Sequence, residues 1–131
     1  MGIGLRLLQD LPIVSVDIVY MGQILHLDKV LVDTGSAGTI IDADVVSEMG
    51  VRPEGSDQTA ILHGIGGTEI VFTKWFDSVS LGDSSVSPCK IQIGVMDYGI
   101  EIQGILGFDF IRAANLVIDS VEMEIYSKEK R

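Results

Sequence analysis

Apolar and polar residues alternate along much of this 131-residue chain. In residues 12–20, PIVSVDIVY, Ile13, Ser15 and Asp17 fall on one parity and Val14, Val16 and Ile18 on the other, so the period of two predicts a strand. Met21-Gly22 reads as a hairpin turn, and residues 23–32 return as a second strand that ends at Asp33. Thr39-Ile40-Ile41 predicts a short strand. Asp42 then suits an N-cap, with Val45, Val46 and Met49 on one face and Gly50 ending a helix of about two turns. Residues 59–72, TAILHGIGGTEIVF, predict a hairpin around His63-Gly64-Ile65-Gly66-Gly67. Residues 75–81 and 86–95 predict two more strands joined at Gly82-Asp83-Ser84, with Pro88 marking an edge or a bulge. An apolar run carrying Gly104 and Gly107 leads into a short helix over 108–114. Residues 116–118 and 123–126 predict a closing hairpin about Asp119-Ser120. Strands separated by frequent turns predict a mainly β barrel or sandwich.

Composition narrows the function more than the fold. The length suits one domain, residues 1–131, and 47% apolar against 21% charged residues is a globular composition. Fifteen glycines against three prolines agree with many tight turns. A formal net charge of −10 argues against nucleic acid, which needs a basic face, and against anionic membrane surfaces. Cys89 is the single cysteine, so an intrachain disulfide and a zinc held by a cysteine cluster are excluded. It reads as a small buried apolar residue, with a reactive thiol as the alternative. The N-terminal stretch MGIGLRLLQDLPIV is interrupted by Arg6, Gln9 and Asp10, too broken for a signal peptide and too short to span a bilayer. The expectation is a soluble, cytoplasmic chain without a cofactor. The C-terminal SKEKR reads as a solvated basic end.

One stretch stands out. In residues 29–42, KVLVDTGSAGTIID, an apolar strand runs straight into Asp33 and then a turn of Thr34, Gly35, Ser36 and Gly38. A carboxylate at the end of a buried strand is costly unless donors face it. Backbone N–H groups and hydroxyls in such a turn can hold it ionised. These are the needs of a catalytic carboxylate. The plainer reading is an aspartate that opens a turn and caps its own backbone.

Residues 30–41, VLVDTGSAGTII, resemble the active-site motif of the aspartic proteases. Residues 104–111, GILGFDFI, resemble the second motif of their retroviral-type branch, and LHGIGG at 62–67 sits where that family carries a glycine-tipped flap. The order of the three motifs is that of the single-domain, retropepsin-like proteases. The resemblance implies an acid-protease β-barrel, closed or partly open, with Asp33 as catalytic carboxylate and Thr34, Gly35 and Ser36 supporting its loop. Thr34 would bond across a two-fold axis, and Ser36 would add a donor to the carboxylate. Ile105, Leu106 and Gly107 would pass beneath the loop and fix it. Leu62, His63, Gly64, Ile65, Gly66 and Gly67 would close over bound peptide. Asp109 reads as loop support at a helix start. Phe108 departs from the basic residue common there, and the tip lacks the tyrosine of the pepsin-like branch.

Asp-Thr-Gly occurs once in this chain. Peptide hydrolysis by carboxylates uses two of them around one water, one accepting a proton and one donating. The resemblance therefore implies a homodimer in which Asp33 faces its own copy, acting on a peptide or protein substrate. Two other readings stay open from the sequence. One is a catalytically silent protease-like dimerisation or peptide-binding module. The other is a small β-barrel ligand carrier.

Overall fold

A computed structural model describes residues 2–64, 67–96 and 99–128. Among these the elements run β1 (Ile3–Gly4), β2 (Arg6–Leu8), β3 (Leu11–Tyr20), β4 (Gln23–Val32), β5 (Ile40–Asp42), α1 (Ala43–Ser47), β6 (Thr59–Gly64), β7 (Gly67–Phe76), β8 (Ser78–Leu81), β9 (Ser84–Val86), β10 (Cys89–Gly94), β11 (Gly104–Leu106), α2 (Phe108–Ala113), β12 (Leu116–Asp119) and β13 (Glu124–Ser127). The protein is mainly β, as the alternation predicts. A small sheet has the order β1-β13-β12. The large one runs β6-β7-β10-β5-β11-β4-β3-β8-β9, with β2 also paired to β3. Among the described residues that path has two ends, β6 and β9, and is open rather than a closed ring.

The β3–β4 hairpin sets the register of the large sheet. Its turn places Met21 at φ 48° and Gly22 at φ 81°. Two left-handed residues match the twist of the flanking strands, and glycine takes that conformation without strain. Met21 does so less readily. The Asp77 carboxylate accepts both turn N–H groups, from Met21 at 3.3 Å and from Gly22 at 2.9 Å.

One face of these strands is covered along its length, the other only at the end nearest Asp33. Val14, Val16, Ile18, Leu27 and Val30 enter the main core with Ile91, Ile93, Leu106 and Phe110. Each such side chain contributes about 1.5–3 kcal/mol on burial. On the other face Ile13, Ile102 and Ile105 form a second cluster, flanked by Leu8, Leu31, Met96 and Ile100.

Several boundaries differ from the sequence reading. Helix α1 has five residues, not two turns, and Asp42 occupies its N-cap without a side-chain capping bond. The strand expected over 75–81 breaks at Asp77, between the end of β7 and β8. That over 86–95 breaks at Ser87-Pro88, because a proline has no N–H to give to a ladder. Strands β1 and β2, of two and three residues, are too short for any period to be read.

One buried cation pins the connection after α1. Lys74 on β7 is 6% exposed and pairs with Glu54 at 2.7 Å and Asp57 at 2.9 Å. Burial pulls its pKa down, but the Glu54 and Asp57 carboxylates outweigh that and hold it above the usual lysine value. The hydrogen bond from Lys74, then that from the Glu54 N–H, lowers Asp57. The loop before β6 is thereby tied to the strand that carries the β6–β7 hairpin.

Candidate active site

Strand β4 delivers Asp33. Its neighbour β11 runs parallel to it, with Ile105 beside Leu31 and Leu106 beside Val32. The ladder continues one residue past β4, where the Asp33 N–H donates to the Leu106 carbonyl at 3.0 Å. Asp33 is therefore still in strand register, half-buried, as the chain begins to turn. Period two puts it on the face of Leu31 and the second apolar cluster, away from the main core.

The loop closes on itself in two steps. The Gly35 N–H donates to Asp33 Oδ1 at 2.9 Å, and the Ser36 N–H donates to the Asp33 carbonyl at 3.2 Å. The Ser36 hydroxyl donates to the Gly38 carbonyl at 2.8 Å, so its proton goes to the loop backbone rather than to the Asp33 carboxylate. Thr34 is exposed. The second motif locks the far side of the loop, where the Phe108 N–H donates to the Ser36 carbonyl at 2.7 Å.

Gly107 explains why that crossing needs glycine. A Cβ there would stand 2.5 Å from the carbonyl carbon and oxygen of Gly38 and 2.9 Å from the Thr39 nitrogen. These are backbone atoms and cannot swing aside. The two motifs cross at van der Waals contact because one of them has no side chain.

Thr39 and Asp109 complete the junction. The Asp109 carboxylate accepts the Thr39 N–H at 3.1 Å, the Thr39 hydroxyl at 2.7 Å and the Phe110 N–H at 2.7 Å. The Thr39 hydroxyl oxygen in turn accepts the Gly107 N–H at 3.0 Å. Thr39 is 1% exposed, one of the few buried polar residues. The sequence gives it no prominence beyond opening a strand, and nothing in one sequence pairs residue 39 with residue 109. Cys89 lies buried nearby, its thiol pushed up to about 11 by burial and then by the Asp109 charge. Such a thiol stays protonated and unreactive at neutral pH.

The hairpin at 59–72 has its arms in place. β6 pairs antiparallel with β7 from Thr59 opposite Phe72 to His63 opposite Thr68 and Gly64 opposite Gly67. Ile65 and Gly66, expected at its tip, lie outside the described residues, as do the side chains of Leu62 and His63.

A half-buried carboxylate at a strand end, set in a glycine loop and crossed by a second glycine motif in a mainly β fold, is the arrangement of an aspartic protease-like domain. The family model for aspartyl protease matches residues 19–110, well over half of the chain, and takes in the first motif, the hairpin and all but the last residue of the second motif. The chain belongs to the retropepsin-like aspartyl protease family. No curated protein matches it.

Proposed function

We propose that the chain acts as one domain of a homodimeric aspartic endopeptidase, in which Asp33 and its copy activate a water between them. The observation that carries this reading is the isolation of the Asp33 carboxylate. Among the described residues it accepts one hydrogen bond, from Gly35, although its loop is locked from both sides. A half-buried carboxylate with so few donors is costly by itself. A second carboxylate sharing a proton with it offsets that cost, because two such groups at close range cannot both stay ionised cheaply.

In this reading the ionised member takes a proton from water as the water attacks the peptide carbonyl. The protonated member donates toward the carbonyl oxygen. Thr34, exposed beside Asp33, ties the two loops across the axis. Gly35 lets the loop backbone approach its copy, and Ser36 and the Ile105–Gly107 segment hold the loop's shape. Residues 61–67 close over an extended peptide. Leu31, Ile40 and Ile105, on the Asp33 face, supply apolar walls for its alternate side chains.

The test is incubation with a mixed peptide library from about pH 3 to pH 7, a range that brackets ordinary carboxylate titration. The Asp33→Asn protein runs alongside, with light scattering at several dilutions. The wild type is expected to cleave best at the acid end and to lose specific activity on dilution below the dimer range. Cleavage by Asp33→Asn at the wild-type rate would overturn the reading, as would full activity in a strict monomer. Peptide binding without cleavage in both proteins would point instead to a silent binding module.

A further inference from the structure

The β6–β7 hairpin stands out from the large sheet on a narrow base. Strand β7 pairs with β10 only from Phe72, opposite Ile93, to Phe76, opposite Cys89. Strand β6 pairs with β7 from Thr59, opposite Phe72, outward to Gly64, opposite Gly67, and is the outermost strand of the sheet. Beyond Phe72 the two arms are therefore bonded in the ladder, among the described residues, only to each other. Ile61 and Ile70, directly opposite one another there, are 58% and 75% exposed. A two-stranded ribbon has little stability of its own, so its direction is set at its root.

That root carries the buried cation. Lys74 lies two residues inside Phe72, opposite Ile91 and on the face of the main core, between Phe72 and Phe76. Its ammonium donates to Glu54 Oε1 at 2.7 Å and lies 2.9 Å from Asp57 Oδ2. Glu54 and Asp57 belong to the loop that leads into β6, and each holds the other. The Glu54 N–H donates to Asp57 Oδ2 at 2.7 Å, and the Asp57 N–H donates to the Glu54 carbonyl at 3.0 Å. The Thr73 N–H adds a bond to the Gln58 carbonyl at 2.9 Å. Both legs of the hairpin are thus joined at the base by an ion pair that lies outside the ladder. Stability does not account for it, because apolar residues in place of a buried ion pair are often neutral or stabilising. What the pair adds is a fixed geometry, since ammonium and carboxylates must meet within hydrogen-bond distance.

Given the protease reading above, on which the assignment rests, we infer that Lys74 is a positioning residue: its pairing with Glu54 and Asp57 sets the angle of the β6–β7 hairpin over a bound peptide. Lys74 touches neither the peptide nor Asp33 and acts through residues 61–67. With the pairing intact the hairpin stands in one pose, and the peptide meets a preformed cover. Without it the ribbon samples several poses, and affinity falls by the fraction of molecules in the competent one. The Asp33 loop is held separately, by Leu106, Phe108 and the close crossing at Gly107, so the chemical step on a peptide already bound is little changed.

The test compares wild type, Lys74→Met and Glu54→Gln by steady-state cleavage of one peptide and by hydrogen exchange of the free proteins. Lys74→Met is expected to raise KM roughly tenfold with kcat nearly unchanged, the outcome when the competent pose falls to about a tenth of the population. Backbone exchange is expected to quicken across residues 59–64 and 67–72 and to stay unchanged in β4 and β11. The Glu54 side chain is 64% exposed, so Glu54→Gln is tolerated and leaves Asp57 on the lysine. It is expected to give the same pattern at about twofold, and it decides the matter if Lys74→Met does not fold. An unmoved KM in a folded variant overturns the assignment and leaves the protease reading intact. Exchange that quickens equally in β4 and β11 also overturns it, as the mark of an ion pair that serves global stability alone. If the wild type cuts nothing, the protease reading falls and the role of Lys74 over a peptide falls with it.

Discussion

Asp33 and Asp109 lie on either side of the same junction and are held in opposite ways. Asp109 is the more exposed of the two, yet its carboxylate accepts three hydrogen bonds, two from Thr39 and one from Phe110. Asp33 is the more shielded, yet among the described residues its carboxylate accepts one, from Gly35. Burial alone would predict the reverse, since a shielded charge needs partners more than a solvated one. A carboxylate whose lone pairs are taken up by its own chain is part of the fabric. One held rigid but left short of donors is free to meet water and a second carboxylate.

Asp33→Asn is the widest way to break that comparison. It is expected to lower cleavage by roughly four orders of magnitude, the scale seen when a catalytic group is removed. The melting temperature should stay near that of the wild type, because the amide keeps an oxygen for the Gly35 N–H. Asp109→Asn should do the reverse, with a lower melting temperature and cleavage that survives in proportion to the folded protein. Equal losses of activity in the two variants would remove the distinction.

The crossing beneath both residues comes next in size. Gly107→Ala puts a methyl group against the Gly38 carbonyl, backbone against which no rotamer offers relief. A cost of about 3 kcal/mol is expected, at the upper end for overpacking. Chemical denaturation reads it directly. A change below about 0.5 kcal/mol, the scale of an ordinary surface substitution, would show that the two motifs are not in rigid contact.

How much of this was legible beforehand follows from which interactions are local. The β3–β4 hairpin could be read because its period and its turn lie within one window, and β4 ended at Val32 as the apolar run did. Asp33 and Gly107 were visible as motif residues. Thr39 was not, because its part in the site lies in a bond to a residue 70 positions away. Periodicity reports which face a residue takes and is silent on what stands across the sheet. The break at Asp77 was missed because Trp75, Val79 and Leu81 keep one parity across it, whereas Pro88 already marked an edge or a bulge in its strand.

Thr39→Val tests the clamp without changing volume. The hydroxyl bonds to Asp109 and Gly107 are lost, and the Gly107 N–H is left buried without a partner. A cost of about 2 kcal/mol is expected, from an orphaned buried donor plus a lost charge-assisted bond. Combined with Asp109→Asn, the two should be less than additive, since they remove parts of one network. Strict additivity in a double-mutant cycle would mean that Asp109 supports the loop by some route other than Thr39.

The smallest effect decides whether donor count alone makes a carboxylate structural. Asp17 and Asp28 both bond His26 on the outer surface of the β3–β4 hairpin, Asp17 to Nδ1 at 2.6 Å and Asp28 to Nε2 at 2.8 Å. Bonding to Asp17 does most to raise the His26 pKa, desolvation works against it, and bonding to Asp28 raises it further, so the net shift is upward. A group raised on folding stabilises the folded state fully below its ordinary value near 6.5, and the contribution is lost as pH rises through the raised pKa. All three side chains are more than half exposed, so solvent screens the pairs. His26→Gln should therefore lower the melting temperature by no more than about two degrees, at pH 5 and not at pH 9. A shift at pH 5 as large as that of Thr39→Val would mean that bonding outweighs burial in this fold. The contrast between Asp33 and Asp109 would then rest on donor count alone.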